Sequence, residues 1–123
     1  MNIAIRGTKK YKILPATEAI IEEKLVAPLR LLGQKGENAF LEIEVEEAPA
    51  EGRSSEPVRL VARLTVDGKV YHAEAVKPTP ETAADRVRSE LEAEIRKERG
   101  RARKLWKRGE AAVKRMLRWG GEE

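Results

Sequence analysis

Eight cations fall within thirteen residues of this sequence: Arg96, Lys97, Arg99, Arg101, Arg103, Lys104, Lys107 and Arg108, opposed only by Glu98. Permanently charged side chains at that density do one kind of chemistry well, neutralising the closely spaced anionic groups of a polyanion. The whole chain has the same asymmetry. Residues 1–95 hold 14 Lys+Arg against 17 Asp+Glu, a net of −3; residues 96–123 hold 11 against 4, a net of +7, which together give the formal +4. A body carrying a basic arm is the electrostatic footprint of a polyanion binder, and the plain alternative is a solvated helix that happens to be basic.

The arm carries a second pattern. Ala102, Leu105, Trp106, Ala112, Val113, Met116, Leu117 and Trp119 make it amphipathic. Three readings stand beside one another: an arm that stacks Trp106 or Trp119 on bases, a helix that docks on a protein partner or membrane surface, and a helix that folds back over its own domain. Gly100 and Gly109 each weaken a helix by about 1 kcal/mol relative to Ala, so the arm continues as helix, bends, or orders only on a partner.

Other chemistries find little support. There is no Cys and a single His, which removes disulfides, thiol nucleophiles and thiolate or His-pair metal sites together. No phosphate-cradling Gly-rich loop or dinucleotide fingerprint occurs, and Ser54, Ser55 and Ser89 have no His partner pattern. His72, alone on a strand, reads as a surface or hydrogen-bonding residue. Glu42, Glu44 and Glu46 alternate, and a ladder of surface ion pairs explains them better than acid–base catalysis. The expectation is a protein that is not an enzyme and has no metal, cofactor or small-molecule substrate. No apolar run approaches the roughly 18 residues of a membrane span, and the N-terminus lacks the apolar stretch of a signal peptide. A soluble, cytoplasmic protein is expected.

The elements that must position the arm follow from periodicity. Asn2 to Arg6 alternates as a short strand ended by Gly7. Pro15 opens a helix in which Ile20 or Ile21, Leu25, Leu29 and Leu32 recur at helical spacing, and Pro28 is expected to kink it or end it near Ala27. Gly33 and Gly36 mark a loop. Ala39 to Glu47 alternates, with Leu41, Ile43 and Val45 on one side, and Val58 to Val66 does the same with Leu60, Ala62 and Leu64. Arg side chains of the second of these strands are expected opposite the glutamates of the first. Asp67-Gly68 is a two-residue hairpin signal that puts Tyr71, Ala73 and Ala75 on the core side and His72 and Glu74 on the other. Thr79 can cap a second helix with Pro80 at its first position, and Ala84, Val87, Leu91 and Ile95 form its apolar stripe.

The order is β-α-β-β-β-α. It predicts an α+β fold: a four-stranded sheet with both helices packed on one face, an open charged opposite face, and a basic C-terminal helical extension. A strand of about eight residues spans roughly 26 Å, matched by roughly 18 helical residues, so the second helix runs out of sheet near Lys97. The expected division is residues 1–97 as the α+β domain and 98–123 as the basic amphipathic extension.

Several segments carry a resemblance to a known family. Glu22-Glu23-Lys24-Leu25 late in the first helix, Tyr71-His72-Ala73-Glu74-Ala75 in the last strand, Ala83-Ala84-Asp85 opening the second helix and Leu91-Glu92-Ala93-Glu94-Ile95-Arg96-Lys97 within it occur in an order and spacing similar to the short form of the ribosome hibernation promoting factor and ribosome-associated inhibitor family, the sigma-54 modulation proteins. The resemblance runs from Met1 to about Arg103. It implies a protein that binds the small ribosomal subunit and silences idle ribosomes by blocking mRNA or tRNA access. By position it implicates Lys24, Arg86, Arg88, Arg96, Lys97, Arg99, Arg101 and Arg103 in contacts with ribosomal RNA; the arm reading adds Lys104, Lys107 and Arg108, with Trp106 and Trp119 as base-stacking candidates. The chain departs from the family in having Pro78-Thr79-Pro80-Glu81 where an acidic–Met–aromatic segment is common, in Pro28, and in a short basic tail with two Trp. The dimerisation domain of the long form is absent, so ribosome pairing is not implied and a monomer is expected off the ribosome. Two other readings stay open: a double-stranded RNA module, against which the acidic start of the second helix argues, and an interaction protein whose C-terminal helix docks on a protein or membrane.

Overall fold

The structure, a computed structural model, describes residues 2–8, 11–48 and 57–121, and no side chains at residues 103, 105–107 and 110–121. Its elements are β1 (Asn2–Gly7), α1 (Pro15–Arg30), a 3-10 helix (Gly33–Asn38), β2 (Phe40–Glu47), β3 (Val58–Val66), β4 (Lys69–Lys77) and α2 (Pro80–Gly121). The four strands form one sheet in the order β1-β2-β3-β4, with β1 parallel to β2 and the other pairs antiparallel. This is the expected β-α-β-β-β-α architecture.

The register follows from alternation. Leu60 sits between Val45 and Ala75, Ala62 between Ile43 and Ala73, and Leu64 between Leu41 and Tyr71. All nine are at most 8% exposed, so the three strands share one apolar phase. The turn that sets this phase has Asp67 at φ 50° and Gly68 at φ 76°. Positive φ at both central residues is what a two-residue hairpin needs to match the twist of its strands, and Asp and Gly adopt it at low cost.

The helices close the apolar face. Ile21, Leu25 and Leu29 of α1 and Ala83, Ala84, Val87, Leu91 and Ile95 of α2 are buried in one cluster with the sheet. Ile21, not Ile20, is the inward residue. At the start of α2 Thr79 caps as expected: its Oγ1 accepts from the Thr82 N–H at 3.2 Å and its carbonyl from the Ala83 N–H at 3.1 Å.

Two local expectations change. Helix α1 does not end near Ala27 but runs to Arg30, with Pro28 fully buried inside it. In the last turn the missing N–H of Pro28 forfeits a single helical bond, and its ring packs in the core. The segment read as a loop at Gly33 and Gly36 is the 3-10 helix, whose Ala39 N–H closes onto the Gly36 carbonyl at 3.2 Å.

The open face of the sheet bears the glutamates. Arg6 Nε donates to Glu44 at 3.1 Å, and Arg59 on the middle strand reaches Glu46 at 3.5 Å and Glu74 at 2.6 Å, so one guanidinium joins β2, β3 and β4. Glu42 and Arg63 are register partners. Among the described residues no group of His, Asp or Glu could hold a metal ion, and no helix is long and apolar enough to cross a membrane.

Candidate nucleic-acid interface

Helix α2 has 42 residues, about 63 Å of helix, whereas the nine-residue strands β3 and β4 span about 30 Å. Among the described residues its last buried one is Ile95. Beyond that point Gly100 and Gly109 interrupt the helix nowhere, because each costs only a fraction of what a run of good helix formers supplies. The arm is therefore a helical continuation of α2. An unbroken helix does not turn back over its own domain, which removes the fold-back reading.

The cations on this helix fall into two groups. Near the sheet they are held by carboxylates: Lys24 of α1 donates to Asp85 at 2.6 Å, Arg86 to Glu90 at 3.1 Å and Arg88 to Glu92 at 3.0 Å. Arg96 shares Glu92 at 3.9 Å, and Arg101 lies 4.0 Å from Glu98. Lys97, Arg99, Lys104 and Arg108 are exposed and form no ion pair with a described residue. The sequence states why. Residues 99–109 contain six cations and no acid, so the one-turn Arg-to-Glu pairing that tames the first half of α2 finds no acid within that stretch. Lys97, Arg101, Lys104 and Arg108, spaced four, three and four apart, keep to one side of the helix. The side chains of Arg103, Trp106, Lys107 and Trp119 lie outside the described residues.

Where α2 leaves the sheet, a second set of residues gathers that sequence spacing did not single out. Lys69, just after the hairpin turn, pairs with Glu98, and its Nζ stands 5.7 Å from the centroid of the Tyr71 ring. The hydrogen bond from Lys69 holds the Glu98 carboxyl below its ordinary range, with the charges of Lys69 and Arg101 acting in the same direction against partial desolvation. Burial raises the Tyr71 phenol. Beside this pair is a groove of about 410 Å³ lined by Leu31, Leu32, Lys35, Tyr71, Ile95 and Arg99, among others. These residues come from the turn after α1, the 3-10 helix, β4 and α2. Nothing in their spacing along the chain foretells their meeting.

The backbone can be compared with known structures once this arrangement is in view. It superposes on the N-terminal domain of Protein Y from Thermus thermophilus with a TM-score of 0.64, at 20% sequence identity, covering 79% of this chain and 98% of that one. It matches a ribosomal subunit interface protein from Coxiella burnetii equally well, with a TM-score of 0.64 at 18% identity, covering 81% of this chain and 99% of that one. The chain shares their fold. Both matches lie in the fold of the hibernation promoting factor family that the sequence resembles. No family model matches the sequence, and no curated protein matches it. The neighbours are covered almost entirely while about a fifth of this chain is not, a share similar in size to residues 98–123.

Proposed function

We propose that this protein is a ribosome-associated hibernation factor that binds the RNA of the small subunit and blocks access of mRNA or tRNA. The carrying observation is the gap in carboxylates along α2 between Glu98 and Glu110. Between residues 97 and 108 the helix presents Lys97, Arg99, Lys104 and Arg108 exposed and without ion-pair partners among the described residues, whereas Arg86 and Arg88 nearer its start are held by Glu90 and Glu92. Phosphates fill the role that the sequence leaves vacant. The name of one structural neighbour, a ribosomal subunit interface protein, supports the same partner.

In this reading Lys97, Arg99, Arg101, Arg103, Lys104, Lys107 and Arg108 make the main phosphate contacts. Lys24, Arg86, Arg88 and Arg96 join by exchanging carboxylate partners for phosphates, at the cost of the pairs they now make. The protein needs no cofactor and no catalytic residue for such a role, acts in the cytoplasm and is a monomer off the ribosome. Sedimentation of the protein with purified ribosomal subunits through a sucrose gradient, with translation of a reporter mRNA followed in parallel, tests it. Cosedimentation with small subunits and loss of translation at saturation are expected. Binding to free duplex RNA in preference to subunits, or saturation without loss of translation, overturns it.

A further inference from the structure

The groove beside the Lys69–Glu98 pair shares Arg99 with the cationic stretch of α2, yet its lining is not cationic alone. Its floor comes from two apolar stripes that overrun the end of the sheet. Leu32 stands three residues after Leu29, just past the end of α1, and Ala102 stands seven residues, two turns, after Ile95 on α2. Leu29 and Ile95 are buried, Leu31 and Leu32 are half-buried, and Ala102 is exposed. Leu31, Leu32, Ile95 and Ala102 all line the groove, together with Val66 at the end of β3 and Tyr71 near the start of β4.

Charge stands on every wall. Lys35 belongs to the 3-10 helix, Asp67 and Lys69 to the hairpin turn and the start of β4, and Glu98 and Arg99 to α2. Lys69 and Glu98 satisfy each other. Lys35, Asp67 and Arg99 are exposed and form no ion pair with a described residue. The groove of about 410 Å³ thus sets two unpaired cations and one unpaired carboxylate around an apolar floor. Ligand sites of roughly 300–1,000 Å³ combine an apolar lining with a few polar groups in this way. An inorganic anion uses the cations and leaves the apolar floor in water. An acyl chain uses the floor and leaves the charged groups unmatched. A nucleotide uses all of it. The flat face of its base lies on aliphatic side chains, an N–H of its pairing edge donates to the Asp67 carboxylate, and its phosphate takes Lys35 and Arg99.

We propose that this groove is a nucleotide site: it receives one unstacked nucleotide of an RNA strand laid along α2, with the base on Leu32, Ile95 and Ala102 and the phosphate between Lys35 and Arg99. This deepens the ribosome reading above and rests on it, since the RNA it calls for is that of the subunit. Arg99 supplies the continuity. It belongs both to the groove and to the unpaired cations between Lys97 and Arg108, so a strand held by those cations reaches the groove without leaving the protein surface. Such a site selects unpaired or bulged nucleotides, because a base stacked in a duplex has no free face to offer. The cations of α2 position the strand, and the groove chooses the nucleotide at which it is held.

Methyl NMR of the full-length protein tests the site without the ribosome. AMP, GMP, CMP and UMP are titrated singly, with inorganic phosphate as the control. The nucleotides are expected to shift the methyl signals of Leu32, Ile95 and Ala102 saturably, and to leave unmoved those of Val70 and Val76, exposed on the other face of the sheet. Equal shifts from phosphate mark an adventitious anion site only, and that result or the absence of shifts with every nucleotide overturns the proposal. A short single-stranded oligonucleotide is expected to move the same signals at lower concentration; shifts from the monophosphates alone mark a free-nucleotide site and overturn the RNA source. On purified small subunits Ala102→Leu, which fills the groove from an exposed position, is expected to weaken binding on the order of tenfold, about the worth of one base contact, with the salt slope unchanged. Lys35→Ala flattens that slope by about 0.7, one phosphate contact with a single strand. Unchanged binding in both variants overturns the proposal. Failure of the unaltered protein to cosediment overturns the ribosome reading instead, and the methyl shifts still decide whether the groove takes a nucleotide.

Discussion

Lys69 and Glu98 join the sheet to the helix at the place where α2 passes beyond its support. Lys69 follows the hairpin turn at the start of β4, and Glu98 is the last acid before the cationic stretch of the arm. The pair ties the base of the arm to the start of β4.

This pin has a pH signature. The hydrogen bond from Lys69 lowers the Glu98 carboxyl below its ordinary value of 4.5, and the hydrogen bond from Arg59 lowers that of Glu74. A depressed carboxyl adds stability above its ordinary value and loses it as pH falls through its lower folded value. Melting temperatures of the protein and of Lys69→Met are therefore expected to differ at pH 6 to 7 and to converge in acid below the carboxylate range. A difference that persists undiminished in acid would mean that packing of the Lys69 stem on Tyr71, rather than the ion pair, is what the substitution removes.

The hairpin turn gives a second outcome. With Gly68 at φ 76°, Gly68→Ala places a Cβ in the left-handed region and lowers stability by about 1–2 kcal/mol, although the space around it is open. Asp67→Asn keeps a residue suited to φ 50° and changes stability by less than about 0.5 kcal/mol. Urea titrations read both values.

How much of this was legible depends on the range of the interaction. The alternation of β2, β3 and β4, the Asp67-Gly68 turn and the apolar stripe of α2 are local signals, and the buried residues Leu41, Ile43, Leu60, Leu64, Tyr71, Leu91 and Ile95 follow from them. Pro28 points to a kink or an end near Ala27, and α1 runs three residues further because a proline that breaks a helix in mid-course is tolerated in its last turn. Gly33 to Asn38 carries no apolar period, so its 3-10 turn left no trace in the pattern. The pairs Arg86–Glu90 and Arg88–Glu92 sit at the i,i+4 spacing and could have been read from the sequence; they divide the candidate cations into held and unheld sets. Lys24–Asp85 and Lys69–Glu98 span 61 and 29 positions and become visible only in the fold.

The division into domain and arm predicts that they separate. A chain ended at residue 99 retains every buried residue among those described and the Lys69–Glu98 pair. It is expected to unfold cooperatively at nearly the melting temperature of the full chain, and to lose most of its affinity for ribosomal subunits. Calorimetry and sedimentation measure the two properties independently. An unfolded truncate would place the arm within the folding unit, and a truncate that binds as well as the full chain would free the arm of any role in binding.

The two sets of cations should also differ in how they respond to salt. If about five cations of the arm neutralise phosphates, log affinity falls against log salt with a slope of about −4 to −5, taking duplex DNA as the reference. Replacing Lys97, Arg99, Lys104 and Arg108 by Ala removes four cations that release counterions on binding, and flattens the slope by about 3.6. Replacing Arg86 and Arg88 removes as much charge per residue, yet those guanidinium groups already sit against Glu90 and Glu92 and hold fewer counterions to release. Their loss is expected to flatten the slope by well under the roughly 1.8 that two unpaired cations would give. Equal effects per residue from the two sets of positions would show that the helix ion pairs open on binding without penalty; a slope near zero in the unaltered protein would remove phosphate contacts as the basis of binding altogether.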